Sequence, residues 1–99
     1  MDLQIENSQF NNINEIWIIG SHCVEVYTQN HNHYKIIAKE NVWSGTTASF
    51  SASYEKLETL NINNVSKEIW VRDVSLPWAN GDTVEECIKA GMGWVNQQR

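Results

Sequence analysis

Little in this chain could cross-link it, stiffen it or carry it through a membrane. Its only proline is Pro77, and its two cysteines, Cys23 and Cys87, form no C-x-x-C pair. Two thiols are too few for a disulfide scaffold, so both read as reduced, small apolar side chains. The longest apolar run is IWII at 16–19, whereas a membrane-spanning helix needs about 18 apolar residues or more. The opening MDLQIENSQF has neither a basic stretch nor an apolar core; no secretory signal is expected, and the location read from it is cytoplasmic. Cations are scarce as well. Seven Lys and Arg stand against 12 Asp and Glu, a net charge of −5, which opposes direct binding to nucleic acid and favours a protein partner with a basic surface.

The residues of catalysis are also thinly spread. There is no G-x-G-x-x-G and no phosphate-binding loop, and WSGTTAS at 43–49 is not a nucleophile elbow. Ser49, Ser51 and Ser53 alternate along a strand, which explains them without chemistry. Glu85 and Glu86 are neighbours on a helix and diverge by about 100°, the wrong geometry for an acid–base pair. His31-Asn32-His33 is an H-x-H that on a strand would turn both imidazoles to one face. A zinc site needs three or four ligands, however, and the turn residues around this one leave the rings unfixed. His22 and Cys23 are adjacent and point to opposite faces. The expectation is a non-enzyme with no metal and no cofactor.

What is present is a foldable pattern. An apolar fraction of 41% and five tryptophans in 99 residues predict one packed domain, 1–99, with a small core. Residues 1–14 are rich in Asn and Gln and weakly patterned, with LQIEN a candidate edge strand. The 12 asparagines carry no role legible from sequence. Over 15–74 the pattern predicts a sheet. EIWII and HCVEVYT flank Gly20-Ser21, the signature of a type II′ hairpin. Val24 and Val26 share a face, as do Tyr34, Ile36 and Ala38; Ser44-Gly45 gives a reversal. In TTASFSASY, Ala48, Phe50, Ala52 and Tyr54 alternate with hydroxyls. Leu57 and Leu60, three apart, predict one helical turn, and KEIWVRDV a further strand.

The strongest local signal is the helix over 83–97. Thr83 and Glu86 form a Thr-x-x-Glu capping box, and Asp82, Glu85 and Glu86 suit the positive end of the dipole. Val84, Cys87, Ile88, Gly91 and Val95 make one face. Glycine costs roughly 1 kcal/mol in a helix interior, so Gly91 and Gly93 predict close approach to a sheet, and Arg99 suits the other end of the dipole. The fold class is therefore α+β: an antiparallel meander of four to five strands packed by one C-terminal helix, the only element long enough to cover the apolar face.

Tryptophans supply the candidate site. Trp17, Trp70 and Trp94 fall within elements and are expected in the core or half-buried. Trp43 and Trp78 fall beside turns, where each either folds over an end of the sheet or stays exposed as an interface anchor. Around Trp78 lie Asp73, Asp82, Glu85 and Glu86, with only Arg72 opposing. The predicted partner-binding residues are thus Trp78, Asp73, Asp82, Glu85, Glu86 and Trp43.

Leu76-Pro77, Gly81-Asp82-Thr83 and Glu85-Glu86, within LPWANGDTVEECIKAG, make residues 76–90 resemble the strand–loop–helix segment of HicB-like antitoxins. The resemblance implies a domain that inhibits a small RNA-cleaving toxin by binding it as a protein partner, often alongside a separate DNA-binding segment. It covers about a fifth of the chain. Fewer residues separate Leu76-Pro77 from Gly81-Asp82-Thr83 than is usual in that family, and the family's later strand and second helix have no counterpart among these 99 residues.

Charge, size and the tryptophan-with-acids cluster together predict a small acidic interaction protein. It would be an inhibitor, immunity or antitoxin-type protein, of the kind phages and mobile elements encode, masking a basic, nucleic-acid-handling partner. A ligand-binding or enzymatic domain using His31, His33 and the hydroxyl row is one alternative. A structural subunit that self-assembles through a strand edge is another, and a homo-oligomer is left open.

Overall fold

The computed structural model describes residues 10–41 and 49–98. Trp43, the LQIEN segment, Ala48, the Ser44-Gly45 reversal and Arg99 lie outside the described residues. Five strands form an antiparallel meander: β1 (Ile13–Ile18), β2 (Cys23–Thr28), β3 (His33–Glu40), β4 (Phe50–Ile62) and β5 (Val65–Arg72). A short β6 (Ala79–Gly81) then pairs with Phe50–Ala52 of β4, on the edge that β5 occupies further along. The chain closes with α1 (Val84–Asn96). The architecture is the predicted α+β sheet with one C-terminal helix, extended by a sixth strand of three residues, too short to show a period.

Alternation decides which residues face the helix. Val24, Val26 and Thr28 of β2, Tyr34, Ile36 and Ala38 of β3, and Ala52 and Tyr54 of β4 are buried on one side of the sheet. Onto them α1 lays Cys87, Ile88, Gly91, Met92 and Val95. Each large apolar side chain so covered contributes about 1.5–3 kcal/mol before entropy is counted. The packing is close at Gly91, where a Cβ would stand 2.9 Å from Ile36 Cγ2 and 3.4 Å from the Tyr54 ring. Gly93 has nothing within 4 Å of such a Cβ, so close approach accounts for Gly91 alone.

Both helix ends are satisfied. Thr83 Oγ1 accepts from Glu86 N at 3.1 Å, and Glu86 Oε2 accepts from Asp82 N at 3.1 Å, one residue before the cap. At the far end Asn12 Nδ2 donates to the carbonyls of Asn96, at 3.3 Å, and Gln98, at 2.6 Å. Asn12 N in turn donates to Asn96 Oδ1 at 2.8 Å. This clasp gives Asn12 and Asn96 a role the sequence did not reveal.

Three expectations are corrected. Leu57 and Leu60 do not form a helical turn. Strand β4 runs through them to Ile62, held by pairing with β5 and by a turn at Asn63-Asn64 whose φ values are 52° and 66°. Asn is one of the few residues that tolerates this left-handed region, and two in a row suit a hairpin. Gly20-Ser21 does not form a two-residue type II′ turn, because Gly20 has no positive φ. The connection is instead the loop 19–22, with Ile19 N and Gly20 N both donating to the Cys23 carbonyl. Finally, Trp17 and Trp94, expected in the core or half-buried, are exposed at 42% and 36%, whereas Trp70 is half-buried as expected.

Candidate functional site

The helix covers one side of the sheet; the other is open. The pairing register places Trp17 beside Glu25 and Glu25 beside Lys35 on that open face. It continues from Lys35 to Glu55 and from Glu55 to Arg72. A second row carries Tyr27 beside His33, and Leu57 beside Trp70. Three of the described tryptophans therefore collect here: Trp17 and Trp70 by strand parity, and Trp78 just before β6, where it continues the side that Asn80 occupies opposite Ser51.

The side chains are closely interlocked. The His33 ring stands edge-on to Trp17 at 5.2 Å and to Trp70 at 5.0 Å between centroids, with Tyr27 at 6.0 Å. Its Nε2 lies 2.9 Å from Glu25 Oε1, a close approach without the alignment of a ring N–H hydrogen bond. Lys35 Nζ sits 4.3 Å above the Trp70 ring, and the Arg72 guanidinium 6.0 Å from the Trp78 ring. Exposed contacts of this type are worth about 0.5–1 kcal/mol each. A cleft of about 300 Å³, lined by Ile37, Lys39, Ser51, Ser53 and Arg72, separates the outer side of β3 and β4 from Trp78.

Trp78 is the most exposed of these rings at 63%, against 42% for Trp17. Trp70 is half-buried. Asp73 lines a small pocket together with Arg72, Val74 and Trp78, and its Oδ1 accepts from Ser75 N at 2.9 Å and Ser75 Oγ at 2.5 Å. The other three acids stand at the helix start, one β6 strand away, about 13 Å along an extended chain. There Glu86 is bonded to the Asp82 amide, Glu85 pairs with Lys89 at 3.2 Å, and the Asp82 side chain is exposed. Of the predicted set, the structure joins Trp78 to Asp73 and groups Asp82, Glu85 and Glu86 separately. Trp43 lies outside the described residues.

The sequence reading missed the aromatic row. Its signal was present: Trp70 and Arg72 alternate with Ile69 and Val71, and Tyr27 alternates with the buried Val26 and Thr28. A place within a strand had been read as core or half-buried, which holds for Trp70 and not for Trp17, whereas period two puts both rings on the outer face. His31 sits in the turn before β3 with φ 64°, bonded at 3.2 Å to Tyr27 Oη, and does not share a strand with His33. Among the described residues no three His, Cys, Asp or Glu side chains converge.

Neither thiol is activated. Burial pushes the Cys87 thiol up to about 11, and it donates to the Ala79 carbonyl at 3.6 Å. Burial also raises Cys23, with Lys35 pulling the other way and Glu25 and Glu55 adding to the rise. A thiol held protonated is a poor nucleophile. The open face supplies aromatic area with fixed cations and carboxylates, which is suited to contact. Compared with known proteins, the chain matches no family model, no curated protein and no solved structure. The described residues contain no helix long and apolar enough to cross a membrane.

Proposed function

We propose that the chain is a small, non-catalytic interaction protein that engages a protein partner through Trp78 and the adjoining open face of the sheet. The observation that carries this reading is Trp78 itself, 63% exposed and leaning on Arg72 beside a cleft. A large exposed indole at the rim of a cleft has the character of a binding anchor. The net charge of −5 favours a partner with a basic surface, such as a nucleic-acid-handling protein, and so an inhibitor, immunity or antitoxin-type role. The likeness of residues 76–90 to HicB-like antitoxins points the same way. Leu76 is buried, Gly81 lies where a Cβ would collide with Cys87 N at 2.4 Å, and Thr83 caps α1. That segment folds as the short strand β6 followed by α1.

The test is capture of partners from the source cell by immobilised protein, at low and at high salt, with Trp78→Ala alongside. A partner held by the unaltered protein, weakened at least tenfold by Trp78→Ala and released by salt, is expected. A partner indifferent to both, or none at all, overturns the reading.

A further inference from the structure

On the open face, strand β4 carries its smallest outward side chains, Ser51 and Ser53, between taller neighbours on both sides. The register sets Lys39 of β3 beside Ser51 and Ile37 beside Ser53. Across β4, Asn80 of β6 stands beside Ser51. Trp78, two residues before Asn80 and so on the same side, lines the cleft together with Ser53 and Ile37. The hydroxyl row that alternation alone explained in the sequence is therefore the floor of a trough, with Ile37 on one wall and an indole on the other. Further along, β4 and β5 continue past the helix as a two-stranded arm, where only β5 flanks β4, so Thr59 and Asn61 have a wall on one side alone.

The groups along the trough can bond outward. Ser53 Oγ has no hydrogen-bond partner among the described residues. Ser51 Oγ donates to Asn80 Oδ1 at 2.8 Å, which leaves the serine oxygen to accept and the Asn80 amide nitrogen to donate. Lys39 and Arg72 line the cleft with Glu40 and Glu55, and none of the four forms an ion pair among the described residues. Two cations and two carboxylates cancel, so a ligand of either charge meets its like. A wholly apolar ligand would take water from the serines and the amide without replacing it. Strand β4 is paired on both sides here, so an extended peptide finds no free edge to join. The walls stand two strand spacings apart, about 10 Å at the backbone, too close for a helix about 10–12 Å across.

What remains is an uncharged ring with one apolar face and several groups that both donate and accept. We infer that the trough binds a pyranose sugar, the C–H face of the ring lying on Trp78 and its hydroxyls meeting Ser53, Ser51 and Asn80. The indole is 63% exposed and so uncovered for it. The cleft of about 300 Å³ is at the small end of ligand sites and suits one ring or two. This goes beyond the function proposed above: the sugar needs no protein partner, and a bound sugar would compete with one for Trp78.

Heteronuclear NMR of the full chain tests it, with the methyl glycosides of glucose, galactose, mannose and N-acetylglucosamine as probes, each raised to about 50 mM. At least one is expected to saturate the shifts of the Trp78 indole N–H and the Ser51 and Ser53 amides, with a dissociation constant of about 1–10 mM. Trp78→Ala should weaken it at least tenfold and Ser53→Ala about threefold, while Trp17→Ala, on the same face outside the trough, leaves it within about twofold. Far-UV circular dichroism checks that each variant is folded; should Trp78→Ala fail that check, Trp78→Leu replaces it. An oligosaccharide of the bound sugar that holds at least tenfold tighter marks a glycan chain as the ligand, and equal affinity marks the free sugar; either supports the site. No saturating glycoside, shifts that persist without the indole, or tighter binding of the charged relatives glucose 6-phosphate or glucosamine overturns the inference.

Discussion

Strand β4 belongs to two regions that share a backbone and differ in everything else. From Phe50 to Lys56 it lies between β3 and β6 or β5, with Ala52 and Tyr54 buried under the helix. From Glu58 to Ile62 it pairs only with β5 and every side chain is exposed. The cause is length. Thirteen residues of helix span about 20 Å, while thirteen of strand span about 43 Å, so α1 cannot cover all of β4, and the molecule extends to 48 Å along its longest axis. Alternation makes a strand in both regions; only a cover turns the apolar side into a core.

The sharpest way to separate the regions is to remove the same side chain from each. Ile88, with no exposed surface, should lose about 2–5 kcal/mol on replacement by alanine. Ile62→Ala in the arm should change the stability of the monomer by less than about 0.5 kcal/mol. Urea denaturation at low protein concentration reads both, and equal losses would mean that the arm is part of the core.

Alkali should act on the body before the arm. Burial holds the Cys87 thiol up near 11 against an unfolded value of 9.0, and lifts the Tyr54 hydroxyl to about 12 from 10.0. Between those values the folded chain keeps a proton that the unfolded chain has released, so stability is complete below pH 9 and falls as pH rises toward 11 and then 12. Cys87 alone accounts for on the order of 2 kcal/mol of that fall. Denaturation midpoints across this range should drop, and Cys87→Ala should remove the lower part of the slope.

The smallest effects concern the two helix glycines, and here the signs differ. Gly91→Ala would press a methyl group onto Ile36 and Tyr54 and should destabilise by about 1 kcal/mol, the overpacking exceeding the gain in helix propensity. Gly93→Ala meets open space and should stabilise by up to about 1 kcal/mol. Thermal melts of the pair distinguish a helix clamped at one point from one clamped along its length.

The body was the legible part. The capping residues at Thr83 and Glu86, the helical face from Val84 to Val95 and the alternation in β2, β3 and the first half of β4 each announce a structure that burial then enforces. The arm was misread at Leu57 and Leu60, because spacing of three fits a helix and the partner strand lies across a turn whose signal is only two asparagines. The candidate site was legible in part. Trp78 announced itself by falling beside a turn, whereas Trp17 and Trp70 were placed by their lying within strands and not by the face their parity gives. The grouping of Asp73 apart from Asp82, Glu85 and Glu86 depends on how β6 returns to β4, which three residues cannot signal locally.

The clasp at Asn12 has a consequence for how the molecule is made and undone. By bonding the last turn of α1 to the chain just before β1, it draws the polypeptide into a near-closed ring. These bonds join residues 84 positions apart, so they carry the loop-closure entropy of nearly the whole chain. Loosening at either extremity is felt at the other. A fusion or a proteolytic cut near Asn12 acts on the helix end, and one near Asn96 acts on the first strand.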